Sequence, residues 1–294
     1  MLAPVPNVQL NNAVSMPQIG FGVFRIPDED TERTVLEAIE CGYRSIDTAS
    51  LYGNERGVGR AIAACGLPRD ELFITTKLWN DDQGRDHAAG AFDASLDRLG
   101  LDCVDLYLIH WPKPSKNLYV ETWLALQEFY AAGRARAIGV SNFQPSHLDR
   151  LIERTQVVPA ANQIELHPFL QQEQLRRFDT DHGVATVAWS PLGQAKSIGD
   201  PVVGAIARRH GRTPAQVILR WHLQLGTVVI PKTTSPERMR ENLDILDFSL
   251  DDADLAAIRG LDAGLRFGPD PDERDTGPRA GFASTGGRWV EPAD

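Results

Sequence analysis

The sequence lacks the features expected of proteins that cross membranes, are secreted or bind nucleic acid. None of its 294 residues lie in an apolar run of about 18, so we predict no membrane-spanning helix. The start, Met1 to Pro6, has no basic stretch followed by an apolar one, and we expect no signal peptide. A formal charge of −10 repels phosphate backbones and anionic lipids, which makes nucleic acid and membranes poor partners.

Cysteine is scarce and shows no metal-binding pattern. Cys41, Cys65 and Cys103 form no CxxC pair and no Cys/His zinc spacing, which is typical of a reducing compartment, so we expect a cytoplasmic protein. Glu165 and His167 share one face of a predicted strand, but no third ligand accompanies them. We therefore predict no metal site.

Three familiar catalytic motifs are missing. The run Gly139 to Asn142 stops short of the second glycine of a GxSxG nucleophile elbow. No GxxxxGK[ST] phosphate loop occurs. The run Gly20 to Arg25 begins like a GxGxxG dinucleotide fingerprint but ends in arginine. Hydrolase, P-loop and Rossmann chemistry are therefore disfavoured.

What the sequence does contain is a regular alternation of short apolar runs and amphipathic stretches. Continuous apolar runs indicate strands that are buried on both faces, as in parallel sheets. Eight such repeats in a chain of this length predict one (β/α)8 TIM barrel domain over residues 1–294, with an open doubly wound sheet as the rival. The apolar runs are Gln18–Val23, Ser45–Asp47, Phe73–Lys77, Val104–His110, Ala137–Ser141, Ala160–Ile164, Ala185–Trp189 and Thr227–Ile230.

The two ends of the chain differ from this repeat. Val8 to Val14 predicts a β-hairpin with Asn11 and Asn12 at its turn, which could cap the N-terminal end of a barrel. From about Gly264 the chain is rich in Gly, Pro, Asp and Arg and has little periodicity. We expect an irregular C-terminal tail, disordered near Asp294.

Polar or aromatic residues end most of the predicted strands. In a (β/α)8 barrel the carboxyl ends of the strands form one rim, and active sites lie there. A single strand-end residue of this kind is usually just solvated, but a repeated series aimed at one rim predicts an active site. The series comprises Asp47, Lys77, His110, Ser141, Asn142, Gln163, Trp189, Ser190 and Lys232.

Four of the residues in this region suit proton transfer to an oxygen. A free tyrosine, with a pKa of about 10, is a poor acid at neutral pH, and a nearby ammonium lowers that pKa. Lys77 could supply the ammonium to Tyr52, and Asp47 could hold Lys77 in place. His110 could orient a carbonyl oxygen. The set predicts protonation of an oxygen whose carbon receives a hydride.

Several motifs resemble those of the aldo-keto reductase family. The resemblance runs from about Val8 to Asp262 and rests on three signatures in order, supported by two shorter matches. The signatures are Gly42–Ala49 with Tyr52–Glu55, Leu101–Pro112, and Ile230–Thr233 with Arg238, Glu241 and Asn242. The shorter matches are Ile138–Phe143 and Asn162–Glu165.

The resemblance implies a (β/α)8 barrel, a catalytic tetrad of Tyr52, Lys77, Asp47 and His110, and NADPH bound across the barrel mouth without a Rossmann fold. Trp189 is implied to stack on the nicotinamide, whose carboxamide is implied to bond to Ser141, Asn142 and Gln163. Lys232, Thr233 and Arg238 are implied to hold the 2′-phosphate, which favours NADPH over NADH, and Glu241 and Asn242 to contact the adenine. The implied cofactor-binding residues are Gly22, Val23, Phe24, Ser141, Asn142, Gln163, Trp189, Ser190, Leu192, Lys232, Thr233, Thr234, Arg238, Glu241 and Asn242. The implied substrate-binding residues are Phe24, Trp79, His110 and Trp111.

Within that family the chain looks most like the prokaryotic 2,5-diketo-D-gluconate reductase group, on Thr75–Asp81, Trp189–Gln194 and Thr213–Gln216. The tail after Asp262 departs from the group, which leaves the substrate open among aldehydes and ketones, including keto-sugar acids and other small dicarbonyls. The resemblance implies a monomeric NADPH-dependent carbonyl reductase. The alternative is an NADPH-binding sensor or regulatory subunit on the same barrel. A metal-dependent barrel lyase or isomerase lacks its ligands.

Overall fold

The structure, a computed structural model, describes residues 4–273. Its strands form an eight-stranded sheet and a separate two-stranded hairpin. The strands are β1 (Asn7–Gln9), β2 (Ser15–Pro17), β3 (Phe21–Gly22), β4 (Ser45–Asp47), β5 (Phe73–Leu78), β6 (Val104–Ile109), β7 (Ala135–Ser141), β8 (Ala161–Glu165), β9 (Ala185–Trp189) and β10 (Val228–Val229).

Helices follow the strands of the larger sheet along the chain. They are α1 (Asp28–Cys41), α2 (Glu55–Ala64), α3 (Arg85–Leu99), α4 (Tyr119–Ala131), α5 (Pro145–Thr155), α6 (Glu173–Asp181), α7 (Pro201–His210), α8 (Pro214–Gln224), α9 (Pro236–Leu243) and α10 (Asp252–Arg259). Within residues 4–273, no helix combines the length and the apolar character needed to cross a membrane.

The eight-stranded sheet closes into a barrel. Its strands are parallel and lie side by side in sequence order from β3 to β10. Gly20 N donates to Val229 O at 2.8 Å, and Val229 N donates to Gln18 O at 3.0 Å, so the segment before β3 pairs with β10. This confirms the (β/α)8 barrel, because a doubly wound sheet stays open and reverses its strand order.

Burial explains why the strands are continuous apolar runs. All six residues of β5 and all six of β6 are buried, since one face lines the barrel interior and the other packs under helices. Local signals set the helix ends. Thr213 Oγ1 accepts from Gln216 N at 3.2 Å to cap α8, and α1 ends at Gly42, whose φ of 116° is readily adopted only by glycine.

The predicted N-terminal hairpin is confirmed. Its strands pair with Val8 opposite Met16 and a turn across residues 10–14. Leu10 and Met16 are buried in one cluster with residues near the starts of the barrel strands, among them Phe73 and Val228. The hairpin therefore covers the amino-terminal end of the barrel and leaves the other rim for the site.

The described start of the C-terminal tail, residues 264–273, forms no helix or strand, as predicted. It is nevertheless fastened to the barrel, because Ala263 N and Leu265 N both donate to Phe169 O, at 3.1 and 3.0 Å. The predicted disorder near Asp294 lies outside the described residues.

Candidate active site

The four predicted catalytic side chains converge at the carboxyl rim of the barrel. Asp47 ends β4, Lys77 lies next to the end of β5, and His110 follows β6. Tyr52 lies in a short 3-10 turn, residues 50–52. Lys77 Nζ donates to Asp47 Oδ1 at 2.5 Å and lies 3.5 Å from the Tyr52 hydroxyl oxygen. The structure therefore joins the acid, the ammonium and the phenol in one chain of contacts.

Asn54 anchors the loop that carries Tyr52. Its amide nitrogen donates to Val23 O and Ile26 O, both at 2.9 Å, and its amide oxygen accepts from Thr48 Oγ1 at 2.9 Å. Asn54 is fully buried. It thus ties the Tyr52 loop to the neighbouring loop after β3. Sequence reasoning assigned no role to Asn54, although this residue lies inside the first family signature.

The expectation of a lowered pKa for Tyr52 is wrong for this structure. Desolvation by the surrounding protein raises the pKa of Tyr52 well above 10.0, and the negative charge of Asp47 raises it further. The phenol is consequently protonated at neutral pH and holds a proton that it can donate.

Lys77 is fully buried. Burial lowers its pKa below 10.5, whereas the Asp47 carboxylate and, more weakly, the Glu55 carboxylate raise it. Glu55 is itself buried and accepts from Thr76 Oγ1 and Arg98 Nε, both at 2.6 Å. Sequence reasoning missed this second carboxylate, because nothing in a helix-starting glutamate indicates that it faces the core.

Aromatic rings surround the tetrad. The ring centroid of His110 lies 5.7 Å from that of Tyr52 and 5.2 Å from that of Trp79, both edge to face. Phe24, which is 37% exposed, contacts Tyr52 at a centroid distance of 4.9 Å. Trp111 is buried and follows His110 in the chain. The structure thus places Phe24 and Trp79 against the tetrad.

The residues predicted to face the nicotinamide form one hydrogen-bonded group beside the tetrad. Trp189 Nε1 donates to Asn142 Oδ1 at 2.8 Å, and Ser141 Oγ donates to Gln163 O at 2.8 Å. Gln163 Nε2 donates to Asp47 Oδ2 at 2.7 Å. Asp47 therefore bonds to Lys77 through one oxygen and to Gln163 through the other, a link that the sequence did not predict.

Backbone geometry at the rim fits a close approach by a ligand. Asn142 and Ser190 adopt positive φ values of 63° and 48°, which non-glycine residues rarely do. Gly22 packs against the strand end beside it, since a Cβ there would lie 3.1 Å from Ile230 O. Val23 is buried beside it, and Leu192 is half-buried in the loop after β9.

The predicted phosphate-binding residues lie at the start of α9. Ser235 Oγ accepts from Arg238 N at 3.3 Å and caps the helix, and Thr233 Oγ1 accepts from Ser235 N at 3.1 Å. Lys232, Thr234 and Arg238 are exposed. Partial desolvation lowers the pKa of Lys232, and the positive charge of Arg25 lowers it further. Lys232 and Arg238 thus place positive charge near this helix start. An anion would be favoured here.

The two predicted adenine contacts differ in their surroundings. Glu241 is half-buried and accepts a hydrogen bond from Thr213 Oγ1, at the start of α8. Asn242 is buried, 4% exposed, and its side chain interacts with the Tyr43 hydroxyl. Glu241 is therefore partly accessible to a ligand, whereas Asn242 packs in the interior beneath it in this structure.

The pair Glu165 and His167 is used within the protein. His167 Nε2 and Glu165 Oε1 are 3.0 Å apart, and the same carboxylate accepts from Phe267 N at 2.7 Å and Gly268 N at 3.1 Å. Among residues 4–273 no group of three or more His, Cys, Asp or Glu side chains is arranged to hold a metal.

Comparison with known proteins assigns the chain. The model of the Aldo/keto reductase family matches residues 18–198 and 199–263. The chain belongs to the aldo/keto reductase family. The four tetrad positions fall within these matched ranges, on adjacent strands of the barrel and the loops that follow them.

Similar proteins cover nearly the whole chain. An aldo-keto reductase of Mycolicibacterium smegmatis is 55% identical, covering 90% of this chain and 97% of the relative. The methylglyoxal reductase DkgA of Yersinia pestis is 49% identical, covering 91% and 96%. A crystal structure of a Gox0644 mutant in complex with NADPH superposes with a TM-score of 0.90 at 47% identity, covering 93% of this chain and 100% of that one.

Proposed function

We propose that this protein reduces aldehydes or ketones to alcohols with NADPH and that Tyr52 donates the proton. The observation that carries the proposal is the chain of contacts from Asp47 through Lys77 to the Tyr52 hydroxyl, at the carboxyl rim of an aldo/keto reductase barrel. When bound, NADPH supplies the hydride to the carbonyl carbon. The protein's own side chains handle the oxygen.

Each tetrad residue has a physical role in this proposal. His110, edge-on to Tyr52, orients the carbonyl oxygen by a hydrogen bond. The raised pKa keeps Tyr52 protonated until the oxygen becomes basic enough to take its proton. Lys77, 3.5 Å from the hydroxyl, then stabilises the phenolate that remains. Asp47 holds Lys77 and opposes the effect of burial on its charge.

The chain offers groups that fit both ends of NADPH. Ser141, Asn142 and Gln163 present hydroxyl and amide groups for the nicotinamide carboxamide, and the half-exposed ring of Trp189 suits stacking. At the other end, Lys232 and Arg238 supply positive charge at a helix start for the 2′-phosphate. The crystal structure of the Gox0644 mutant contains NADPH, which supports this choice of cofactor.

For the substrate we propose small dicarbonyls, including keto-sugar acids. The support is the sequence likeness to the 2,5-diketo-D-gluconate reductase group together with the 49% identity to a methylglyoxal reductase. Phe24, Trp79 and Trp111 would form the wall of this site around His110. We further propose a cytoplasmic monomer. Sedimentation should give the 32.4 kDa of one chain, and a dimer mass would contradict the monomer.

The proposal is tested by following NADPH consumption with a panel of carbonyl compounds. The panel should contain a small dicarbonyl, a keto-sugar acid, a simple aldehyde and a simple ketone, each with NADPH and with NADH. Consumption of NADPH in step with alcohol formation supports carbonyl reduction, and the ranking of compounds tests the substrate class. Tight binding of NADPH without turnover of any compound would favour the sensor instead.

A further inference from the structure

Trp189 is held at its indole nitrogen by a hydrogen bond and at its far edge by the C-terminal tail. At one end its Nε1 donates to Asn142 Oδ1 at 2.8 Å. At the opposite edge of the indole lies Gly268, where a Cβ would sit only 2.4 Å from Cη2 of Trp189 and 3.3 Å from Cζ3. The backbone of Gly268 therefore rests directly against the ring, and no other residue type fits without moving it.

A buried carboxylate fixes Gly268 in that position. Glu165, 1% exposed at the end of β8, accepts from Phe267 N at 2.7 Å and from Gly268 N at 3.1 and 3.2 Å. Hydrogen bonds to a charged acceptor in a buried setting are among the stronger ones in proteins. Glu165 thus anchors the tail at the rim, and it lies next to Trp189 on the neighbouring strand β9.

Phe267 adds side-chain contacts to this attachment. Its ring stacks on His167 at a centroid distance of 4.7 Å and an interplanar angle of 17°. Lys196 Nζ lies 4.0 Å from the same ring centroid, and Gln194 Nε2 donates to Phe267 O at 3.4 Å. Phe267 therefore also joins the tail to the loop after β9. We call Glu165, Phe267 and Gly268 the tail clasp.

We propose that the tail clasp is a positioning device for Trp189, and that Glu165 and Gly268 set the cofactor affinity of the site through that ring. The proposal rests on the proposed function, in which Trp189 stacks on the nicotinamide. Among the residues proposed to contact the cofactor, the clasp contacts described above reach Trp189. The effect of the clasp on the cofactor should therefore pass through Trp189 and disappear when the indole is replaced by the smaller ring of phenylalanine.

Indole NMR tests the contact without any cofactor. The Nε1–H resonance of Trp189 is assigned as the one missing from Trp189→Phe. We expect Gly268→Ala and Glu165→Gln to move this resonance, because the first pushes the ring and the second weakens the hold on the tail. Gly90→Ala is the matched control, since a Cβ at Gly90 would meet nothing within 4 Å. An unmoved Trp189 resonance in both clasp variants would overturn the proposal.

A double-mutant cycle tests the consequence for the cofactor. We expect Gly268→Ala and Glu165→Gln each to raise the Kd for NADPH by about tenfold, the size typical of coupling between groups in contact. In a Trp189→Phe background the same changes should alter the Kd less than about twofold. A merely structural role would weaken binding equally in both backgrounds, and that outcome overturns the proposal.

The two failures can be told apart. If the wild-type protein neither binds nor oxidises NADPH, the proposed function is wrong and the clasp loses its purpose. If the wild-type protein turns over NADPH while both clasp variants bind it equally well, the proposed function stands and the clasp proposal is wrong. Glu165→Gln keeps the size of the side chain, so it serves if Gly268→Ala does not fold.

Discussion

At the scale of single residues, Asp47 connects two functions of the rim. One carboxylate oxygen lies 2.5 Å from Lys77 Nζ, and the other accepts from Gln163 Nε2 at 2.7 Å. The first contact belongs to the proposed proton donor, the second to the group proposed to face the nicotinamide. Substitution of Asp47 would therefore remove both contacts at once.

Arg238 offers the sharpest residue-scale prediction about the cofactor. It is exposed in the first turn of α9, and the 2′-phosphate is the group that distinguishes NADPH from NADH. We expect Arg238→Ala to weaken NADPH about 10- to 100-fold, as for loss of hydrogen bonds to a charged group, and NADH less than about twofold. Titration of both cofactors checks this.

The control for that measurement is Arg240→Ala, an exposed arginine on the same helix. It changes the net charge equally but lies outside the predicted phosphate set. Equal weakening of NADPH and NADH by Arg238→Ala, or an equal effect of the control, would contradict the assignment.

Residue types at strand ends were readable from the sequence, but their environments were not. Asp47, Lys77 and His110 follow apolar runs, so their gathering at one rim was predictable. The direction of the pKa shift of Tyr52 was not, because it depends on how completely the fold removes water from the hydroxyl and on how close the Asp47 carboxylate lies to it. The proximity of opposite charges can be predicted from the sequence, whereas the extent of desolvation depends on the three-dimensional packing around the group.

At the scale of elements, Asn54 joins the loops after β3 and β4. Its amide serves three buried partners, Val23 O, Ile26 O and Thr48 Oγ1. We expect Asn54→Ala to lower the free energy of unfolding by about 3 kcal/mol, because it leaves several buried polar groups without partners. It should also lower turnover, since Tyr52 and Phe24 lie on the two joined loops.

Urea denaturation measures the change in the free energy of unfolding of Asn54→Ala, and Asn11→Ala is the matched control. Asn11 is exposed, and its amide donates to Pro159 O at 3.0 Å in the N-terminal hairpin. We expect it to cost less than about 1 kcal/mol. Unchanged stability and unchanged turnover of Asn54→Ala would show that the two loops do not depend on this residue.

The attachment of α6 to the barrel should depend on pH. Asp179 on α6 is fully buried and accepts from Thr186 Oγ1 at 2.9 Å, and burial raises its pKa from 3.8 to about 7. Between these values the folded protein keeps the proton that the unfolded chain has lost. Stability should therefore fall as pH rises from about 4 to about 7, by up to about 1.4 kcal/mol per unit, and change no further above that.

Unfolding free energies of wild type and Asp179→Asn across this pH range check the expectation. The variant cannot ionise at this position. The unfolding free energy of wild type should therefore fall relative to that of the variant as pH rises from 4 to 7, and their difference should stay constant outside this range. Asp181→Asn, an exposed aspartate at the end of the same helix, is the control. Parallel curves for wild type and Asp179→Asn would contradict the account.

Element positions were predicted well because each barrel strand is a continuous apolar run. Ala185–Trp189 is the same in sequence interpretation and structure, and the other runs differ by a few residues at their ends. The tail was harder. Its composition correctly predicted a lack of regular structure, but its fastening by Glu165 and Phe267 depends on tertiary contacts that no local pattern encodes.

At the scale of the whole molecule, barrel closure is what makes a site from distant segments. Pairing of the segment before β3 with β10 brings all eight carboxyl ends to one rim. Asp47 and Gln163, which are 116 positions apart, thereby come into hydrogen-bond contact. The N-terminal hairpin covers the opposite end, so only one rim is available for chemistry. The sequence predicted this rim and the meeting of Asp47, Lys77 and Tyr52 on it, but not the contact between Asp47 and Gln163.

The most direct test of the account compares NADPH oxidation by wild type and Tyr52→Phe with the best carbonyl substrate. The substitution keeps the ring against Phe24 and removes only the proton donor. Turnover should fall at least about 100-fold while NADPH affinity is unchanged, as expected for loss of a general acid. Tyr130→Phe, on the exposed side of α4, should match wild type. Equal turnover by wild type and Tyr52→Phe would contradict the central claim.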